Sequence, residues 1–187
     1  MGVRIRDPEA KKQQLLDAAL AEFAEYGLAG ARVDRLAQRA GISPGLVYSF
    51  HKGKAELFDA VFDHIVDLTV ATVPIDADRL PEYAGLLHDA AAGHPEVLRF
   101  VTWYHLERGE AAQRAAVAAS MGAKVAAIEE AQARGTVAGD RPAAQVLVLV
   151  LTLANMFHQH GEDVLHLVPE AERRALVVDA VARLVTP

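Results

Sequence analysis

Ser43, Tyr48 and Lys54 are spaced as groups that could grip a phosphodiester backbone. Ser43 followed by Pro44 reads as a helix cap with proline at the first helical position, where its missing N–H costs nothing. The Ser43 hydroxyl can also meet a phosphate, and the free N–H groups at such a helix start favour an anion. Tyr48 falls near the end of the same short helix, where a phenol reaches a backbone phosphate. Lys54 follows Gly53 at the start of the next helix and adds a positive charge where backbone N–H groups already favour an anion. Lys52 adds a further cation beside it. Contacts of this kind set register and carry little sequence information. Base edges would be met by residues exposed over 44–50. Leu46 or Phe50 can touch thymine methyls and Ser49 can bond to several bases. No Arg, Asn or Gln stands between Gly41 and Phe50. Bidentate readout is therefore expected from Arg32, or from an N-terminal arm carrying Arg4 and Arg6 that enters a minor groove.

Other chemistries find less support. The chain has no cysteine, which excludes disulfides, thiolate nucleophiles and Cys-based metal centres. His158 and His160 are two apart, whereas zinc ligands on one helix are four apart, so no metal site is expected. His-Glu-x-x-His and phosphate-binding glycine loops are absent. A helical enzyme using His105, Glu107 or Asp163 as acid and base is the rival reading, and an apolar-faced helical adaptor is a third. Phe100, Trp103, Tyr104 and Met121 are spaced to face one interior, with Met156 and Phe157 later in the chain. They are either plain core or the wall of an apolar ligand pocket in which Asn155, His105 or His158 orients a polar group.

The elements that must position these groups are helical. Residues 33–50 form two short helices joined at Ala40-Gly41-Ile42, a helix-turn-helix with a glycine free to take positive φ. Val33, Leu36, Ala37, Ile42 and Val47 would fix the angle between them. Upstream, Asp7-Pro8 caps a helix whose Leu16, Leu20, Phe23 and Ala24 repeat at helical spacing and whose stop is Gly27. Downstream, Leu57, Val61, Ile65 and Leu68 share the stripe of a helix from Lys54 to Val73. Further helices are predicted over 81–92, 95–108, 110–134, 140–160 and 169–185. The expected fold is all-α, with about nine helices. A three-helix head over residues 1–54 carries the helix-turn-helix, and residues 55–187 form a helical body for ligand binding and dimerisation.

Composition agrees with that division. The chain has 187 residues, 52% hydrophobic and only 6% aromatic, which favours a packed helical protein over disorder. Net charge is −6. Residues 1–54 hold nine basic groups (Arg4, Arg6, Lys11, Lys12, Arg32, Arg35, Arg39, Lys52, Lys54) against six acidic ones, so the remainder is strongly acidic. That asymmetry suggests a polyanion-facing head on an acidic body. The longest apolar run, Val146 to Ala154, is about half the ~20 residues of a membrane span. With no apolar stretch of signal-peptide length at the start, the expected location is the cytoplasm.

A longer pattern joins these features. It runs Leu16-x-x-Ala19-x-x-x-Phe23-x-x-x-Gly27, then Val33-x-x-Leu36-Ala37-x-x-Ala40-Gly41-Ile42-Ser43-x-Gly45-x-Val47-Tyr48, then Lys54-Ala55-Glu56-Leu57-Phe58. Over residues 10–60 the chain resembles the TetR family of bacterial transcriptional repressors. The resemblance implies base-contact positions at Pro44, Gly45, Leu46, Ser49 and Phe50. It also implies a small-molecule effector held in the body, a palindromic double-stranded operator and no cofactor. The helices around 142–160 and 170–185 carry Val, Leu and Ala on more than one face, and a four-helix interface between two copies would cover them, as in that family. Two positions depart from the pattern. Ala31-Arg32 stands where the family has hydroxyl residues opening the second helix, losing a cap of about 1 kcal/mol. His51 stands where the family has a phenylalanine, with Phe50 one position earlier.

Overall fold

The computed structural model describes residues 8–109 and 115–187. The helices are α1 (Pro8–Gly30), α2 (Val33–Ala40), α3 (Pro44–Phe50), α4 (Lys54–Thr72), α5 (Leu80–Gly93), α6 (Pro95–Arg108), α7 (Ala115–Arg134), α8 (Ala143–Asn155), α9 (Glu162–Leu165) and α10 (Glu170–Val185). Single 3₁₀ turns occupy Ala77–Arg79 and Met156–His158. The described residues are all-helical and contain no strand. Two compact units emerge, one of Met1–Ile65 with Glu96–Gln113, the other of Val66–Pro95 with Arg114–Pro187.

In the first unit Leu15, Leu16, Ala19 and Phe23 bury one face of α1. Gly27 does not simply stop that helix. It adopts φ 65° and ψ −176°, a kink after which helical bonding resumes to Gly30. The α2–α3 corner forms as its sequence dictates. Gly41 is left-handed at φ 64°, and the Ile42 and Gly41 amides donate to the Ala37 and Gln38 carbonyls. Leu36, Ala37 and Val47 are buried, whereas Val33 and Ile42 are only partly so. Rings from three helices then interlock. Phe23 meets Phe58 edge-on at 4.9 Å, Phe58 meets Phe100 at 4.9 Å, and Tyr104 stacks on Phe62 at 3.9 Å. The Arg108 guanidinium donates to Asp59 and to the Ala55 carbonyl, locking α6 onto the start of α4. Leu57, Val61 and Ile65 are buried as the stripe predicts, but Leu68 is exposed because the buried face of α4 is completed by Phe58 and Phe62 instead.

In the second unit Leu80, Tyr83 and Ala84 of α5, Ile128 and Ala131 of α7, Val146 and Val150 of α8, and Val177 and Val181 of α10 share one core. α10 lies closely along α5 at Gly85, where a Cβ would come within 3.0 Å of Arg174 and 3.1 Å of Val178. The helix expected over 140–160 is shorter. It starts after Pro142 and leaves α geometry at Asn155, whose side-chain amide donates back to the Leu151 carbonyl, and a 3₁₀ turn follows. The extra one-turn helix α9 lies beyond it. Asp7 and Glu110, read as helix starts, lie outside the described residues.

Candidate nucleic-acid interface

α3 is seven residues long, and Val47 is its one fully buried side chain. The Ser43 hydroxyl accepts the Leu46 amide at 3.3 Å, so the cap forms as the sequence requires. Pro44, Gly45, Tyr48 and Ser49 are exposed and Leu46 and Phe50 half-buried. A Cβ on Gly45 would meet nothing within 4 Å. Tyr48 is 56% exposed, a large ring standing off the surface. The Ser49 hydroxyl donates to the Leu46 carbonyl at 2.7 Å and must leave that bond to donate to a base.

The charged groups flanking α3 divide into free and committed. The Arg32 side chain is exposed, and among the described residues no hydrogen bond or ion pair holds its guanidinium. Lys52 is exposed as well; its backbone amide donates to the Glu56 carboxylate in the first turn of α4. Lys54 is partly committed. Its ammonium donates to the Ala29 carbonyl at 2.9 Å and the Ala31 carbonyl at 3.2 Å, tying the start of α4 to the end of α1. Arg4 and Arg6 lie outside the described residues.

Glu22, which sequence reasoning missed, organises this edge. Its side chain is fully buried on α1. One carboxylate oxygen accepts the Arg32 amide at 2.9 Å and the Arg35 guanidinium at 2.7 to 2.9 Å. Arg35 also donates to the Gly30 carbonyl and lies 4.2 Å from the Tyr26 ring centroid. α2 has no cap from its own N-cap side chain. The buried carboxylate of α1 supplies the acceptor that the missing hydroxyl would have offered. The only signal in the sequence was a glutamate among the apolar positions of α1, together with the absent cap.

His51 replaces the expected anchor ring in the interior. It is buried, while Phe50 stays half-exposed. Burial pushes its pKa below the ordinary imidazole value, and the Lys12 charge adds to this. Those effects outweigh the Glu56 carboxylate 3.7 Å away, which acts in the opposite direction.

The residues considered for a ligand pocket fall in both units. In the first, Phe100 and Tyr104 belong to the aromatic core, Trp103 packs on Gly27, and His105 is exposed with its ring edge-on to Phe62. In the second, Met121 and Met156 pack partly buried against the core. Asn155 bonds to its own helix, and His158 lies 5.0 Å from His88, ring to ring. Among the described residues no three His, Cys, Asp or Glu side chains gather as a metal site. No helix among them is long and apolar enough to cross a membrane.

Residues 15–61 match the family of bacterial regulatory proteins, tetR family, and residues 79–183 match the tetracyclin repressor-like C-terminal domain. The HTH-type transcriptional repressor SCO4008 of Streptomyces coelicolor is 39% identical over 153 residues, covering 80% of this chain and 79% of that protein. The HTH-type transcriptional regulator RutR of Escherichia coli is 31% identical over 106 residues, 52% of this chain and 49% of its own length. Among solved structures, the transcriptional regulator SCO4942 from Streptomyces coelicolor superposes with a TM-score of 0.84 at 29% identity, covering 94% of this chain and 98% of that one.

Proposed function

The chain belongs to the tetR family of bacterial regulatory proteins, and from that premise we propose that it acts as a homodimeric cytoplasmic repressor released from a palindromic operator by a small molecule. It is a ligand-responsive DNA-binding regulator rather than an enzyme; the relatives it matches are HTH-type transcriptional repressors and regulators. In this reading residues 1–54 are the DNA-binding head and 55–187 the effector and dimerisation body. Each α3 enters a major groove, and the two half-sites lie about 34 Å apart or a multiple of that. Arg32, Ser43, Tyr48, Lys52 and Lys54 hold phosphates. Pro44, Gly45, Leu46, Ser49 and Phe50 face base edges.

The observation that carries this reading is the capped, rigidly cornered α3, whose outer face is left open beside exposed Arg32 and Tyr48. Dimerisation is supported by α8. Ala144, Gln145, Val148, Leu149 and Thr152 are all exposed, and their spacing leaves one largely apolar face uncovered. The effector would act from the second unit, where Met121, Asn155, Met156 and His158 lie, and α4 begins in one unit and ends in the other. A coupling of about 1–3 kcal/mol between effector and operator changes affinity roughly 5- to 150-fold.

The test uses duplexes selected from a random pool, with affinity measured across salt concentrations. Tyr48→Phe should weaken operator binding without altering thermal stability, because the phenol touches nothing that holds the fold. Arg32→Ala should also lower the salt slope by about one. Unchanged affinity in both variants overturns the assignment of this face to DNA.

A further inference from the structure

Lys124 is out of place by the rules that build the rest of α7. It lies on the buried face of that helix, between partly buried Met121 and Val125 and one turn before fully buried Ile128. Only 8% of its surface is exposed. Its ammonium donates to the Ser120 hydroxyl at 2.7 Å, one turn earlier. Among the described residues no carboxylate lies within ion-pairing distance of it, and the acidic residues of α7, Glu129 and Glu130, are exposed. Burial pulls the lysine pKa below its usual value, as expected for a charge that lacks a counter-ion. An ammonium withdrawn from water without an anion is costly, and a lysine at a core position is ordinarily paired. Arg35, which is only partly buried, does have a carboxylate partner in Glu22.

The two groups also define what would satisfy them. Lys124 brings one positive charge. Ser120 accepts from it, so the hydroxyl proton is available to donate. One cation and two donors side by side match a carboxylate, with one oxygen for each donor; a phosphate dianion would leave a negative charge unbalanced. The Met121, Val125 and Ile128 side chains along the same face suit an apolar body. We propose that Lys124 and Ser120 form the polar end of the effector site, and that the effector is a monocarboxylic acid with an apolar body. This rests on the regulator reading above, whose effector it specifies by class.

The test titrates the full-length protein calorimetrically at constant ionic strength. The probes are hexanoate, octanoate and benzoate, with hexanol, octanol and benzyl alcohol as their neutral counterparts. At least one acid should bind about tenfold or more tighter than its alcohol. Lys124→Met should abolish that preference, Lys124→Arg should keep part of it, and Ser120→Ala should reduce it severalfold. Unliganded Lys124→Met should melt at or above the parent temperature, since a buried unpaired charge has been removed. The proposal is overturned if no acid is preferred over its alcohol, or if both Lys124→Met and Ser120→Ala leave the preference intact. Operator binding without ligand is measured in parallel. The parent protein should bind the selected duplex, and its failure to bind any duplex would count against the regulator reading, whatever the acids do.

Discussion

Glu22 and His51 show how single residues replace features that the family pattern leads one to expect. Glu22 reaches from α1 to the start of α2 and accepts both the Arg32 amide and the Arg35 guanidinium. Glu22→Ala leaves those donors unmatched and should destabilise the first unit by about 2–4 kcal/mol, read as a lower denaturant midpoint. Glu22→Gln keeps an acceptor for Arg32 and should lose less. At His51 the sign follows from burial. The folded imidazole holds its proton less readily than the unfolded one, so its contribution is fully present above the unfolded value of about 6.5 and is lost as the pH falls below it. His158 shifts in the same direction, chiefly by burial with His88 beside it. Acidification from about pH 7.5 to about pH 5.5 should therefore lower the melting midpoint, and His51→Phe should flatten that dependence without removing the part due to His158.

At the scale of elements, two glycines with nearly the same φ do different work. Gly41 at φ 64° ends α2 with open space around it, so Gly41→Ala should cost only the left-handed penalty of about 1–2 kcal/mol. Gly27, at φ 65° and ψ −176°, lies in a region open essentially to glycine alone, and a Cβ there would come within 2.9 Å of the Trp103 ring. Gly27→Ala should cost more than Gly41→Ala, and Trp103→Ala should restore only the steric share of the difference; chemical denaturation of the four proteins decides it. These elements also mark what could be read in advance. Gly41, Ser43 and Pro44 act through neighbours one turn away, so their spacing announced the α2–α3 corner correctly. Gly27 depends on a ring 76 positions later, Glu22 on donors ten and thirteen positions later, and Lys54 on carbonyls at the end of α1, 23 and 25 positions earlier. Local patterns hold no trace of such partners. The break at Asn155 likewise falls at no proline or glycine that the sequence could have announced.

For the molecule as a whole, the proposed dimer rests on the uncovered face of α8. A paired substitution, Val148→Asp with Leu149→Asp, should yield a folded monomer in analytical ultracentrifugation and weaken operator affinity at least tenfold, because one head then meets one half-site. The acidic body and basic head could be read from charge alone. The grouping of α6 with the first unit could not, since it depends on Phe100, Tyr104 and Arg108 meeting Phe58, Phe62 and Asp59 through space. That grouping has a practical outcome. Trp103 is the sole indole of the chain, and it sits on α6 against the kink of α1. Intrinsic tryptophan emission therefore reports on the first unit alone, and set against circular dichroism, which sums every helix, it reveals whether the two units melt together or one before the other.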